Sequence, residues 1–91
     1  MRVSLEDLKE IYEYIAQDSE RYAQITVNKI YRSAQILKSN PRIGKTVLEF
    51  KDERIREIIS GNYRIIYHII HDSRIDILRI FHSARLLNKN L

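Results

Sequence analysis

Residues 55–82 read IREIISGNYRIIYHIIHDSRIDILRIFH, and how this stretch divides decides the fold. Isoleucine, tyrosine and phenylalanine crowd it, and such side chains fit a pleated, half-buried surface. Two breaks divide it. Gly61-Asn62 is a hairpin-turn pair, and His71-Asp72-Ser73 is a polar turn. Three strand runs result, over 55–60, 63–70 and 74–82. The connections between them are too short for a parallel crossover, so they form an antiparallel meander. The last two runs are apolar on both faces for much of their length. The sheet they build is therefore covered on one side and partly buried on the other.

Working upstream, Lys51-Asp52-Glu53 is polar, and Val47 to Phe50 reads as a short strand or the lead-in to one. Beyond it the period lengthens. Asn40-Pro41 stops a helix, because a residue before proline avoids helical geometry, and Ile43-Gly44 continues the turn. Over 20–39, Ala23, Val27, Ile30, Ala34 and Leu37 alternate spacings of four and three, a core stripe about five turns long. Asp18 and Ser19 precede it, and either can cap it. Over 4–17, Leu5, Leu8, Ile11, Tyr12 and Ile15 form a second stripe, with Glu6, Lys9, Glu10 and Glu13 off it. Ser4 stands as its cap, and Asp7 takes the acidic position three residues later. The short link makes the helices an antiparallel hairpin, which the small Ala23 and Ala34 allow to close tightly. The expected fold class is α+β: an N-terminal antiparallel helical hairpin packed on a C-terminal antiparallel β-meander, one domain over 1–91.

Composition narrows the function. A chain of 91 residues is too short to split into two cores. The absence of cysteine removes a disulfide scaffold, a zinc-thiolate site and a cysteine nucleophile together. No apolar run approaches the ~20 residues of a membrane span, so no membrane role is expected. No apolar segment near Met1 reads as a signal peptide, which makes the cytoplasm the default location. Lys and Arg number 16 against 12 Asp and Glu, a net +4 that suits an acidic partner, either nucleic acid or an acidic peptide.

The chemistry-bearing residues lie on the strands. Arg56, Arg64 and Arg79 each interrupt an apolar run. An arginine in mid-sheet is costly to bury unless paired, and Glu57, Glu49 and Asp76 are the available partners. Three on one meander otherwise make a positive surface of the kind that holds phosphate or carboxylate. His82 ends the last strand, where it is either a capping residue or, beside an arginine, a general acid or base for phosphodiester cleavage. His68 and His71 read as ordinary sheet and turn residues. Tyr12 and Tyr31 are expected in or beside the helical core, and Tyr63 and Tyr67 under the hairpin. No His or carboxylate set has metal-ligand spacing, and no phosphate loop or serine-nucleophile motif appears, so neither metal nor cofactor is expected. Arg85 and Lys89 make the end of the chain basic.

Four segments carry a resemblance: DLKEIYEYIAQDS at 7–19, LKSNPRIGKTV at 37–47, IREIISGNYRIIYHI at 55–69 and ILRIFHSAR at 77–85. In this order and spacing, with Gly-x-Tyr-Arg-x-x-Tyr at 61–67 and Arg-x-x-His-x-x-Arg at 79–85, the chain resembles the ParE branch of the RelE/ParE toxins of type II toxin–antitoxin modules. The resemblance implies a helical hairpin against a twisted antiparallel sheet. It also implies a strand before the first helix, for which only Met1-Arg2-Val3 is present. That strand is therefore expected to be short or missing, leaving a sheet edge open, with lower stability or a compensating dimer contact.

RelE-like relatives cleave messenger RNA on the ribosome without a metal, and ParE-like relatives poison DNA gyrase. Arg64 matches the strand arginine the nucleases use, and His82 falls where some of them place a catalytic histidine. In that reading Arg64 and Arg56 hold the phosphate and His82 donates a proton; in either reading Arg79 and Arg85 are expected to bind phosphate or a partner. However, Ser83 stands where those nucleases carry a tyrosine, and Glu49 is only a loose match for their acidic residue. The segment His82-Ser83-Ala84-Arg85 is nearer ParE. The resemblance thus points first to gyrase inhibition through the hairpin, its loop near Asp18-Ser19 and the end of the chain. A ribosome-dependent nuclease is the alternative, and an inactive toxin that only binds antitoxin is a third. All three imply an acidic cognate antitoxin, and a homodimer or a heterotetramer with it.

Overall fold

The computed structural model describes residues 3–71 and 74–84. Helix α1 spans Leu5–Ala16 and α2 spans Glu20–Ser39. Strands β1 (Lys45–Thr46), β2 (Ile55–Ser60), β3 (Tyr63–His71) and β4 (Arg74–His82) form one sheet in the order β1-β2-β3-β4, antiparallel throughout. The architecture is the α+β arrangement that the periodicities require. The meander has one strand more than the three expected, because β1 pairs Lys45 with Glu57 and Thr46 with Arg56. Within Val47 to Phe50, read as a short strand or the lead-in to one, Leu48–Phe50 is a 3-10 turn that ends on Lys51 at φ 51°. Asp72 and Ser73 of the second turn lie outside the described residues.

Local chemistry sets the helix limits. The Ser19 side chain accepts the Tyr22 N–H at 3.1 Å, and Asn40-Pro41 follows the last turn of α2. Ser4 occupies the corresponding place on α1 but makes no side-chain cap bond. Asp7, read as the acidic partner of that cap, turns away from it towards the sheet. Its Oδ2 accepts the Ile80 N–H at 2.8 Å and the Arg79 Nε–H at 3.0 Å.

The sheet is buried on both faces, which is why β3 and β4 carry apolar residues on both. On one face Leu8 and Ile11 of α1 and Ile30, Ala34 and Leu37 of α2 pack against Ile65, Tyr67 and Ile69 of β3 and Ile75, Ile77 and Ile80 of β4. On the other, Val47 covers Ile66 and Phe81, with Phe50, Ile55 and Leu78 around them. A bulge re-phases β4. Arg79 opposes Ile66 while Ile77 opposes Tyr67, so Leu78 is the extra residue. Ile77 and Ile80, three apart, thereby reach the same helix-covered face. Tyr31, expected beside the helical core, is instead 45% exposed.

The β4 strand stands at the edge of the sheet, with no strand before α1 among the described residues. The open edge that the resemblance implied is therefore present there. It is partly closed, because the Asp7 carboxylate takes the Ile80 N–H that a neighbouring strand would otherwise bind.

Candidate functional site

Arg56, Arg64 and Arg79 each have a defined set of partners. Arg64 is paired with Glu57: its Nε donates to Glu57 Oε2 at 3.1 Å, and its Nη2 makes an ion pair with the same oxygen. Its guanidinium also lies 5.4 Å over the Phe81 ring. Both side chains are largely withdrawn from water, Arg64 at 17% and Glu57 at 8% exposure. Lys45 supplies a second cation, 3.5 Å from Glu57 Oε1. Arg56 uses carbonyls rather than a carboxylate: Nε donates to Glu53 O at 2.9 Å, and Nη1 donates to Gly44 O at 2.9 Å and Arg42 O at 3.3 Å. Arg79 is the partner of Asp7. Arg85 lies outside the described residues.

The strand register decides which of these groups meet. Arg64 opposes Phe81, and Tyr63 opposes His82. Successive residues of a strand face opposite ways, so Arg64 and His82 stand on opposite faces. The packing agrees: Phe81 belongs to the small cluster with Val47 and Ile66, whereas Tyr63 packs on the helix-covered core. His82 meets Tyr63 edge-on, with ring centroids 5.6 Å apart, and its Nδ1 accepts the Ala84 N–H at 3.2 Å. A neutral ring with Nδ1 accepting carries its proton on Nε2. Arg56 opposes Tyr67, on the helix-covered face and several rungs from His82. The structure therefore brings Arg64 to Glu57 and Phe81, and does not bring Arg56, Arg64 and His82 together. His68, paired across the ladder with Asp76, leaves its Nε2 buried without a hydrogen bond.

Among the described residues, two grooves on the helix side concern the candidate residues. The first, of ≈ 400 Å³, runs between α1 and the end of β4 and is lined by Asp7, Ile11, Tyr14, Tyr63, Ile80 and His82 among others. The second, of ≈ 260 Å³, lies between α2 and the β2–β3 turn, with Tyr22, Ile25, Lys29, Asn62 and Tyr63 among its walls. Tyr63 is common to both. Its burial, with the Tyr22 and Tyr14 phenols nearby, pushes its hydroxyl pKa up. The sequence reading placed Tyr63 here, gave Asp7 a place only in the α1 cap, and gave no role to Tyr14 or Tyr22. The available signal was that Tyr14 and Tyr22 fall off both buried stripes.

Among the described residues, no three His, Asp or Glu side chains are grouped to hold a metal ion, and no helix is long and apolar enough to cross a membrane. A family model described as the ParE toxin of the type II toxin–antitoxin system, parDE, matches residues 2–87. The chain belongs to the ParE toxin family. ParE membership makes it a toxin of a type II toxin–antitoxin system and implies an antitoxin partner. No curated protein matches it. The ParE assignment also agrees with the topology, a helical hairpin followed by an antiparallel sheet.

Proposed function

We propose that this ParE-family chain acts in the cytoplasm as an inhibitor of DNA gyrase and is neutralised by a cognate antitoxin. The observation that carries the reading is the separation of Arg64 from His82 by the thickness of the sheet. Phosphodiester cleavage needs a cationic clamp and a general acid within reach of one phosphate. Here Arg64 is committed to Glu57, Arg56 is committed to loop carbonyls, and His82 faces the α1 groove. Such a molecule acts through its surface rather than through bond cleavage.

The test is a pair of assays on the purified chain: supercoiling by gyrase, and integrity of messenger RNA on translating ribosomes. Gyrase inhibition with intact RNA is the expected result. RNA cuts that disappear in His82→Ala would replace this reading with ribosome-dependent cleavage. Inactivity in both assays, with the chain folded, would leave antitoxin binding as its remaining role.

A further inference from the structure

Asp7, Glu10 and Tyr14 follow one another along α1 at intervals of three and four, so they stand in one line beside the stripe that the helix buries. All three line the ≈ 400 Å³ groove, and Tyr63 of β3 and His82 of β4 line it from the sheet. Ile11 and Ile80, both core residues, add apolar surface. The volume is that of a small organic ligand.

The groove offers negative charge and aromatic rings together. The Asp7 side chain is only 10% exposed, and a carboxylate so withdrawn needs partners. Its Oδ2 accepts from Arg79 and from the Ile80 N–H, while its Oδ1 has no hydrogen-bond partner among the described residues. Glu10 is exposed and has no ion-pair partner among them. Tyr63 and His82 stand at 78° to each other and make two walls of a corner. The Ala84 N–H on Nδ1 holds the His82 ring there. Tyr14 is a third ring, largely open to water. Ring faces are negative and attract cations. The surrounding charge has the same sign. Over 3–18, Glu6, Asp7, Glu10, Glu13 and Asp18 stand against Lys9 alone, in a chain whose net charge is +4. This region therefore repels anions and attracts cations on a molecule that does the reverse elsewhere.

We propose that the groove between α1 and the end of β4 is a binding site for a small organic cation, an alkylguanidinium or alkylammonium. The charged head pairs with Glu10 and with Asp7 Oδ1, and the alkyl stem lies against Ile11, Ile80 and the rings. A guanidinium suits the site better than an ammonium. It is flat enough to stack on a ring face, and its edge carries N–H groups for two carboxylates at once. The site shares no step with gyrase inhibition and stands independently of it.

The probe is n-butylguanidinium chloride, titrated into the isotopically labelled full chain by NMR. Neutral n-butylurea, of nearly the same shape, and anionic pentanoate are the controls. Butylguanidinium should shift the amide signals of Asp7, Glu10, Tyr14 and His82 saturably at millimolar concentration. Butylurea should bind about tenfold more weakly, and pentanoate should not bind. Glu10→Gln should weaken butylguanidinium binding about threefold or more. Tyr14→Leu keeps apolar bulk but loses the ring face, and should weaken it about threefold. Both positions are exposed on a helix, so the circular dichroism should not change. Arg85 and Lys89 carry the same chemistry as the probe, and Arg85→Gln with Lys89→Gln separates the two sources of the cation. Tighter probe binding in that variant would support the site with the chain's own end as a competitor, and unchanged binding would support it with a ligand from solution. No saturation at tens of millimolar probe, equal binding of butylurea or pentanoate, or shifts centred away from α1 and β4 would overturn the proposal. So would unaltered affinity in both Glu10→Gln and Tyr14→Leu.

Discussion

Tyr67 is fully buried, yet its hydroxyl has two partners. It donates to the Pro41 carbonyl at 2.6 Å and accepts the Gly44 N–H at 3.0 Å. With Arg56 on the Gly44 carbonyl, it fastens the loop after α2 onto the sheet. Tyr67→Phe leaves a buried N–H and a carbonyl unpaired, and should cost about 2–3 kcal/mol in urea unfolding. Gly44→Ala should cost about 3 kcal/mol, because its Cβ would lie 2.5 Å from Tyr67 Oη and 2.6 Å from Glu57 O. Burial pushes the Tyr67 pKa up, against the lowering effects of the Gly44 N–H and Arg56. The folded state thus favours the protonated phenol. Its contribution is fully present below the unfolded value of about 10 and is lost as pH rises through the higher folded value. Stability measured against pH should fall as pH rises from about 10 through the folded value, and less steeply in Tyr67→Phe, where Tyr63 remains as the other raised phenol. Asp7 shows where residue-scale reading stops. Three positions after Ser4 it has the signature of a cap, but its partners lie 72 and 73 positions away. No local pattern encodes that distance. Asp7→Ala leaves Arg79 and the Ile80 N–H without it, and should cost about 3 kcal/mol by chemical denaturation.

Among the elements, α2 and β4 differ in how far local pattern determines them. The apolar stripe of α2, its serine cap and its proline stop all act within a few residues, so its expected span of 20–39 agrees with Glu20–Ser39. Ser19→Ala removes the acceptor of the Tyr22 N–H and should lower the thermal midpoint by an amount equivalent to about 1 kcal/mol. The β4 run was legible as a strand, but its phase was not. Strict alternation from His82 would put Leu78 and Asp76 on the helix-covered face, and the bulge puts Ile77 and Ile75 there instead. The cause is the fit of isoleucines beneath the helices, a tertiary demand that outweighs local regularity. β1 was missed because two residues carry no period. Val47 to Phe50 has strand composition but turns, because it must cross over the sheet to cover Ile66 and Phe81. The candidate site was legible in its residue types and not in its geometry. Whether Arg64 and His82 meet depends on hairpin register, and register is a property of two strands together.

For the whole molecule, the two faces of the sheet are held with unequal strength. Among the described residues, eleven buried ones from both helices and two strands form the core on the helix side, against three on the other. The cover of the smaller core is anchored by a two-residue strand, by the Val47 N–H to the Ile55 carbonyl at 3.1 Å, and by apolar contact. Segments with few buried contacts open at lower free energy than the global transition. Amide hydrogen exchange should therefore show Val47 and Phe50 exchanging by local opening, while Ile65, Tyr67 and Ile30 exchange only with global unfolding. Val47→Ala, costing about 2 kcal/mol of local packing, should accelerate exchange across 45–57 and leave α2 protected up to the reduced global stability. That opening would uncover Phe81, whose ring lies 5.4 Å beneath the Arg64 guanidinium. If the α2 amides accelerated in parallel with Val47 at every denaturant concentration, the two faces would be one cooperative unit. Phe81 would then be uncovered only in the unfolded chain.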